Sequence, residues 1–152
     1  ANYLKPKESP DAWVVEVVNT MKMGDCDKLE KLLTSFFASI PYSQRRKDDE
    51  REKERYFQYT FYLVIRMISS FTVLIEKEQS EGRVDCIIET PMFVYIFEFK
   101  RDGSATEALK QIEEKGYARE YATDNRTIYL IGCNFSSKTG TIDDWKSKGK
   151  SV

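Results

Sequence analysis

Histidine is absent from the 152 residues. That excludes a Ser-His-Asp triad, a Cys-His pair and any histidine-ligated zinc site. Cysteine is sparse: Cys26, Cys86 and Cys133 are scattered and odd in number. No pair has metal-ligand spacing, so they read as buried, reduced thiols of a cytoplasmic protein rather than a disulfide scaffold. No apolar run approaches the ~20 residues of a membrane span. No segment has signal-peptide character, and the chain opens on Ala1 rather than Met, which suggests a piece of a longer protein. An excess of charge is missing too, since the net charge is −1. Without a basic footprint, strong nonspecific affinity for DNA is not expected. Hydrolytic chemistry in such a chain must rest on carboxylates, lysine and a hard, oxygen-preferring ion such as Mg²⁺ or Mn²⁺.

What is present fits one globular domain with a sizeable core: 41% hydrophobic and 32% charged residues. The most informative stretch is Gly82 to Lys100, which reads as two strands around a Thr90-Pro91 turn. Asp85 sits among apolar residues of the first strand. The second ends in Glu98-Phe99-Lys100. Successive strand residues face opposite sides, so Glu98 and Lys100 share a face with Val94 and Ile96. Tyr95, Phe97 and Phe99 take the other. An antiparallel hairpin brings Asp85 close to Glu98, in a register the sequence does not give. Unpaired charge in apolar strands is costly, which argues against ordinary surface salt bridges.

The remaining elements read as follows. Residues 1–10 form a linker, with Ser9-Pro10 as an N-cap and first helical residue. Helices follow over 11–22 and from about Asp25, the latter with Leu29, Leu32, Leu33, Phe36 and Phe37 at core-facing spacing. A charge run over 45–55 leads into an apolar helix over 50–70, and a strand covers 71–79. After an Asp102-Gly103 turn, Ser104 and Glu107 form a capping box that opens a helix running to about Tyr121. Gly116 lies inside that helix, where close packing on the sheet is its expected reason. A strand covers 126–135, and a Lys/Ser/Gly tail closes the chain. The order is αβββαβ, with the helix from 104 acting as a right-handed crossover to a parallel last strand. The expected fold is α/β, a mixed sheet flanked by helices.

This layout resembles the PD-(D/E)XK nuclease superfamily. Over residues 29–145 it is similar to a bacterial domain of unknown function within it, one often found C-terminal to an AAA-ATPase-like domain. The residues that carry the resemblance are Ile40-Pro41-Tyr42, Glu54-Arg55-Tyr56-Phe57-Gln58, Gly82-Arg83-Val84-Asp85 and Tyr95 to Lys100. Gln111 to Tyr117 and Ile131 to Ser136 continue it. Val84 stands where the signature has proline, which removes no ligand.

The resemblance implies a restriction-endonuclease-like core over 49–146, a helical extension or bridge over 1–48 and a flexible tail over 147–152. It implies a metal-dependent nuclease acting on DNA with Mg²⁺ or Mn²⁺. Asp85 and Glu98 would hold the ion with the Phe99 backbone carbonyl, and Lys100 would orient the attacking water. Glu54 is implied as an additional metal or water contact, with a solvated charge run as the alternative. Gln111 is implied to face the site. Lys115 and Arg83 are candidate nucleic-acid contacts, with surface roles as their alternatives. Lys146, Lys148 and Lys150 could track a backbone or belong to a frayed end. The partners implied are nucleic acid and an upstream AAA-ATPase-like domain. The rival readings are a noncatalytic binding or coupling module on the same fold, and a structural protein in which the triad is only a buried ion pair.

Overall fold

The computed structural model describes residues 10–39, 72–78 and 83–150, and of these the side chains of 12–39 and 86–149. The helix expected over 50–70, Glu54 within it and the Gly82 turn lie outside the described residues.

Proline lacks an amide donor that a first helical turn does not need, and helix α1 (Pro10–Met23) starts on it. Gly24 reverses the chain at φ 75. Asp25 then caps helix α2 (Cys26–Ala38), its carboxylate accepting from the Lys28 amide at 3.1 Å. Strands β1 (Thr72–Glu78), β2 (Arg83–Glu89) and β3 (Phe93–Arg101) follow. The β2–β3 hairpin closes at Thr90, whose amide donates to the Phe93 carbonyl at 2.8 Å and whose hydroxyl accepts from the Phe93 amide at 2.9 Å. Next come helix α3 (Ala105–Lys115), a 3-10 turn (Tyr117–Tyr121), β4 (Thr127–Ser136) and β5 (Thr141–Lys150).

The spatial order of the sheet is β1-β2-β3-β4-β5. β3 and β4 run parallel, joined through α3, and the other neighbours are antiparallel. This is the α/β architecture that the order of elements predicts: a mixed sheet between layers of helix.

Three details differ from the sequence reading. Helix α3 stops at Lys115 because Gly116 adopts φ 71 and its amide closes back on the Ile112 and Glu113 carbonyls. Gly116 is therefore a left-handed C-cap, not an interior packing glycine. The chain expected as a tail from 147 stays in β5 to Lys150, paired with β4 to the Ile128–Lys150 position. Two of its lysines make surface contacts: Lys146 Nζ donates to Thr106 Oγ1 at 2.8 Å and Lys148 Nζ to Glu113 at 2.9 Å. Finally, α1 and α2 pack on the sheet itself, although residues 1–48 read as an extension. Val17, Met21, Leu29, Leu33 and Phe37 join one core with Tyr95, Phe97 and Phe99. An amphipathic helix must bury its apolar stripe, and this face of the sheet is what it covers.

Strand alternation divides the core as expected. Tyr95, Phe97 and Phe99 face α1 and α2, with Tyr95 donating to the Met21 carbonyl at 2.7 Å and Phe97 stacked on Phe99 at 5.7 Å. Val94 and Ile96 face the other way and pack with Ile112 of α3 and with Ile128, Leu130 and Tyr121. Position for position, the α3 side of β3 reads Val94, Ile96, Glu98, Lys100. The apolar floor thus ends at a carboxylate.

A polar clasp fixes the opposite end of that floor. Arg126 reaches Asp124 at 2.6 Å and Glu89 at 3.0 Å, and donates to the Thr90 carbonyl at 3.0 Å. Tyr121 donates to the other Glu89 oxygen at 3.0 Å. Hydrogen bonds from the Arg126 guanidinium and amide hold the Asp124 carboxyl down to about 2. Its ordinary value is about 3.9, so the folded state favours the ionised form, and that stability is present above the unfolded value and lost as pH falls through the folded one. The Tm advantage of the wild type over Asp124→Asn should therefore be full above about pH 5 and vanish near pH 2. A difference that stays constant across that range in thermal melts would contradict this role for the clasp.

Candidate functional site

Backbone register settles what the sequence left open. Asp85 is the direct Cα partner of Glu98, and Lys100 stands two residues further along β3. Directly opposed residues of an antiparallel pair share a face. Beyond that pair the strands part: β2 continues against β1 to Arg83–Glu78, while β3 continues against β4 to Arg101–Phe135. Glu98 and Lys100 thus lie where β3 loses its β2 neighbour, a place where a sheet opens. The Asp85 and Arg83 side chains lie outside the described residues.

Glu98 is 0% exposed. A carboxylate so placed must have charge or hydrogen-bond compensation. Lys115 supplies it from the last turn of α3, with Nζ 3.6 Å from Glu98 Oε1 and 5.7 Å from the centre of the Tyr117 ring. The resemblance implies that Lys115, second to Gln111, points at the site, as a candidate nucleic-acid contact. In the structure its ammonium stands beside the candidate metal carboxylate. Lys100 is half-buried on the same strand face. Gln111 lies one turn before Lys115, and its buried Oε1 has no hydrogen-bond partner among the described residues. An orphaned amide oxygen costs about 1–3 kcal/mol. The buried Glu98 carboxylate on β3 and the orphaned Gln111 amide oxygen on α3 are oxygen donors of the kind a hard divalent cation takes. Among the described residues no three Cys, Asp or Glu side chains gather as an ion site.

Two features that position this set went unread in the sequence. Gly132 is the Cα partner of Glu98 on β4, and a Cβ there would meet the Ala105 carbonyl at 2.4 Å and Ala108 Cβ at 3.0 Å. Helix α3 therefore rests on the backbone of Gly132, which holds its side chains against Glu98. A glycine within an apolar strand was the available signal. Asn134 is the Cα partner of Lys100. Its Oδ1 accepts from the Gly103 amide at 2.7 Å, and its Nδ2 donates to Asp143 at 2.8 Å. Asp144 accepts from the Ala105 amide at 2.9 Å, and Asp102, at φ 54, accepts from Ser137 at 2.6 and 2.9 Å. These bonds pin the turn that carries the chain from Lys100 into α3. Ser104 caps the helix as expected, accepting from the Glu107 amide at 3.1 Å.

The cysteines offer no competing nucleophile. Burial, then Asp27 and Asp25, pushes the Cys26 thiol up to about 12. Cys133 is raised by its complete burial and then by Asp143. All three are free thiols, with Cys86 and Cys133 buried. No described helix is long and apolar enough to cross a membrane.

Comparison with known proteins fits this geometry. The family model described as the PD-(D/E)XK nuclease superfamily matches residues 52–145. A protein of Azotobacter chroococcum mcd 1, named as an uncharacterized protein in the vnfD 5' region, is 32% identical over 129 residues, 84% of this chain. The chain spans only 25% of that relative's length. No solved structure matches significantly.

Proposed function

The chain belongs to the PD-(D/E)XK nuclease superfamily, and on that premise we propose that it is a metal-dependent nuclease that hydrolyses phosphodiester bonds in DNA. The observation that carries this reading is the Asp85–Glu98 cross-strand pair at the point where β2 leaves β3, with Lys100 two residues along the same strand.

In this reading Asp85, Glu98 and the Phe99 carbonyl hold Mg²⁺ or Mn²⁺, with Gln111 and Glu54 as further oxygen donors. When bound, such an ion lowers the pKa of a neighbouring water and polarises the phosphodiester. Lys100 orients that water and stabilises the negative charge that develops on the phosphoryl oxygens. The water would lose a proton to solvent as its oxygen bonds to phosphorus, the P–O bond to the leaving sugar oxygen would break, and that oxygen would take up a proton from solvent. Arg83 serves as a phosphate contact. Three free thiols suit a reducing, cytoplasmic setting. The family resemblance adds to the proposal an upstream AAA-ATPase-like domain in the same polypeptide, and residues 1–48 would lead from it into the 49–146 core.

The test is to incubate the protein with varied single- and double-stranded DNA in Mn²⁺ and, in parallel, in EDTA. Cleavage in Mn²⁺ that EDTA abolishes is the expected result. Failure to cut any substrate, together with a melting temperature that Mn²⁺ leaves unchanged, would sink the reading. That outcome would favour a noncatalytic module on the same fold. The complete burial of Glu98 and its pairing with Lys115 favour this second reading, because a carboxylate held by a lysine of the same chain needs no substrate.

A further inference from the structure

Lys115 holds a place that a divalent cation would also claim. Its ammonium stands 3.6 Å from an oxygen of the fully buried Glu98, while its own side chain remains 22% exposed. A buried carboxylate left without compensation is strongly unfavourable, and the lysine supplies a positive charge beside it. A protonated lysine has three donors and no acceptor, and therefore cannot itself ligate a cation.

We propose that Lys115 is a displaceable counter-ion of Glu98, which neutralises the carboxylate in the metal-free protein and withdraws when a divalent cation binds, so that its charge sets the metal affinity of the site. The inference rests on the reading of Glu98 as a metal-binding carboxylate. Two cations cannot share one buried carboxylate oxygen, because their repulsion is scarcely screened there. The ammonium must move, and the structure provides the means. Lys115 is the last residue of α3, immediately before the left-handed Gly116. Its stem is long and flexible, and the side chain is partly open to solvent. The Tyr117 ring already lies 5.7 Å from Nζ, so it can keep hold of the ammonium as the contact with Glu98 lengthens. The Glu98–Lys115 pair is then a gate on metal loading, not only a fold-stabilising bridge.

Two substitutions push the affinity in opposite directions. Lys115→Gln removes the competing charge, and Lys115→Arg strengthens it, because a guanidinium holds a carboxylate with two parallel donors. Binding of Mn²⁺ alone is measured by titration calorimetry at constant pH for the wild type, both variants and Glu98→Gln. Lys115→Gln should bind Mn²⁺ about tenfold tighter than wild type, and Lys115→Arg several-fold weaker, within the usual range of coupling between two bound charges. Glu98→Gln should lose binding. Equal or weaker binding by Lys115→Gln, or equal or tighter binding by Lys115→Arg, overturns the counter-ion while wild-type binding that depends on Glu98 keeps the metal reading intact. Absence of Mn²⁺ binding in every protein overturns both. Should Lys115→Gln fail to fold, the arginine variant alone decides, since it retains the charge that Glu98 needs.

Discussion

Lys100→Ala should lower Mn²⁺-dependent DNA cleavage by about 10²–10³-fold while leaving Mn²⁺ affinity near that of the wild type, the scale seen when one preorganised electrostatic donor is removed. Asp85→Ala should lose cleavage and Mn²⁺ binding together. The contrast follows from position. Asp85 and Glu98 are direct Cα partners across the β2–β3 pair, and the proposal assigns the ion to both. Lys100 lies two residues further along β3, beside Asn134 of β4 rather than beside β2. In the proposed mechanism it meets the phosphate and the water, and its charge would matter most when the phosphoryl oxygens gain negative charge. Single-turnover rates with excess enzyme and calorimetric Mn²⁺ titrations separate the two effects. Lys100→Arg, which retains charge but changes shape, should recover part of the rate. A Lys100→Ala protein that cuts as fast as the wild type would remove this lysine from the mechanism.

Gly132→Ala should be costly for an added methyl, at about 3 kcal/mol, the upper part of the range for overpacking. The new Cβ would lie 2.4 Å from the Ala105 carbonyl, and backbone cannot swing aside as a side chain can. Nor is the helix end free to lift. The Gly103 amide is bonded to Asn134 and the Ala105 amide to Asp144, so relief of the clash breaks bonds that cap α3. For a chain of this length the loss corresponds to a drop in Tm of roughly 6–12 °C. The displacement also reaches the site, because α3 carries Gln111 and Lys115 above Glu98. The variant should therefore show altered Mn²⁺ affinity even at temperatures where it stays folded. Denaturant unfolding that finds less than about 0.5 kcal/mol of destabilisation would mean that the helix can step back without cost.

Much of this architecture was readable because strands and helices print their periods on the chain. The alternation from Val94 to Lys100 placed the aromatic residues and the carboxylate on opposite faces, and the two cores divide along that line. Ser104 and Glu107 announced the start of α3 through local hydrogen bonding, which needs no tertiary partner. The end of α3 was not readable. Tyr117 and Tyr121 continue a helical spacing of apolar residues, and only the left-handed conformation of Gly116 shows that the turn there is 3-10. Strand β5 was hidden for a different reason. Its stretch from Asp143 to Lys150 alternates between polar residues on both faces, and its strand character comes from pairing with β4 along the sheet edge.

The candidate site divides in the same way. With no histidine in the chain, composition alone narrowed the expected chemistry to oxygen ligands and lysine. Strand periodicity alone put Glu98 and Lys100 on one face. The identity of the group against Glu98 was decided by tertiary structure. Whether Lys115 meets solvent, a phosphate or a carboxylate depends on how closely α3 lies on the sheet, and that distance is set by the bare backbone of Gly132 on another strand. Local sequence governs which way a side chain points from its own element. How far two elements stand apart is a property of their contact, and it is written in neither one alone.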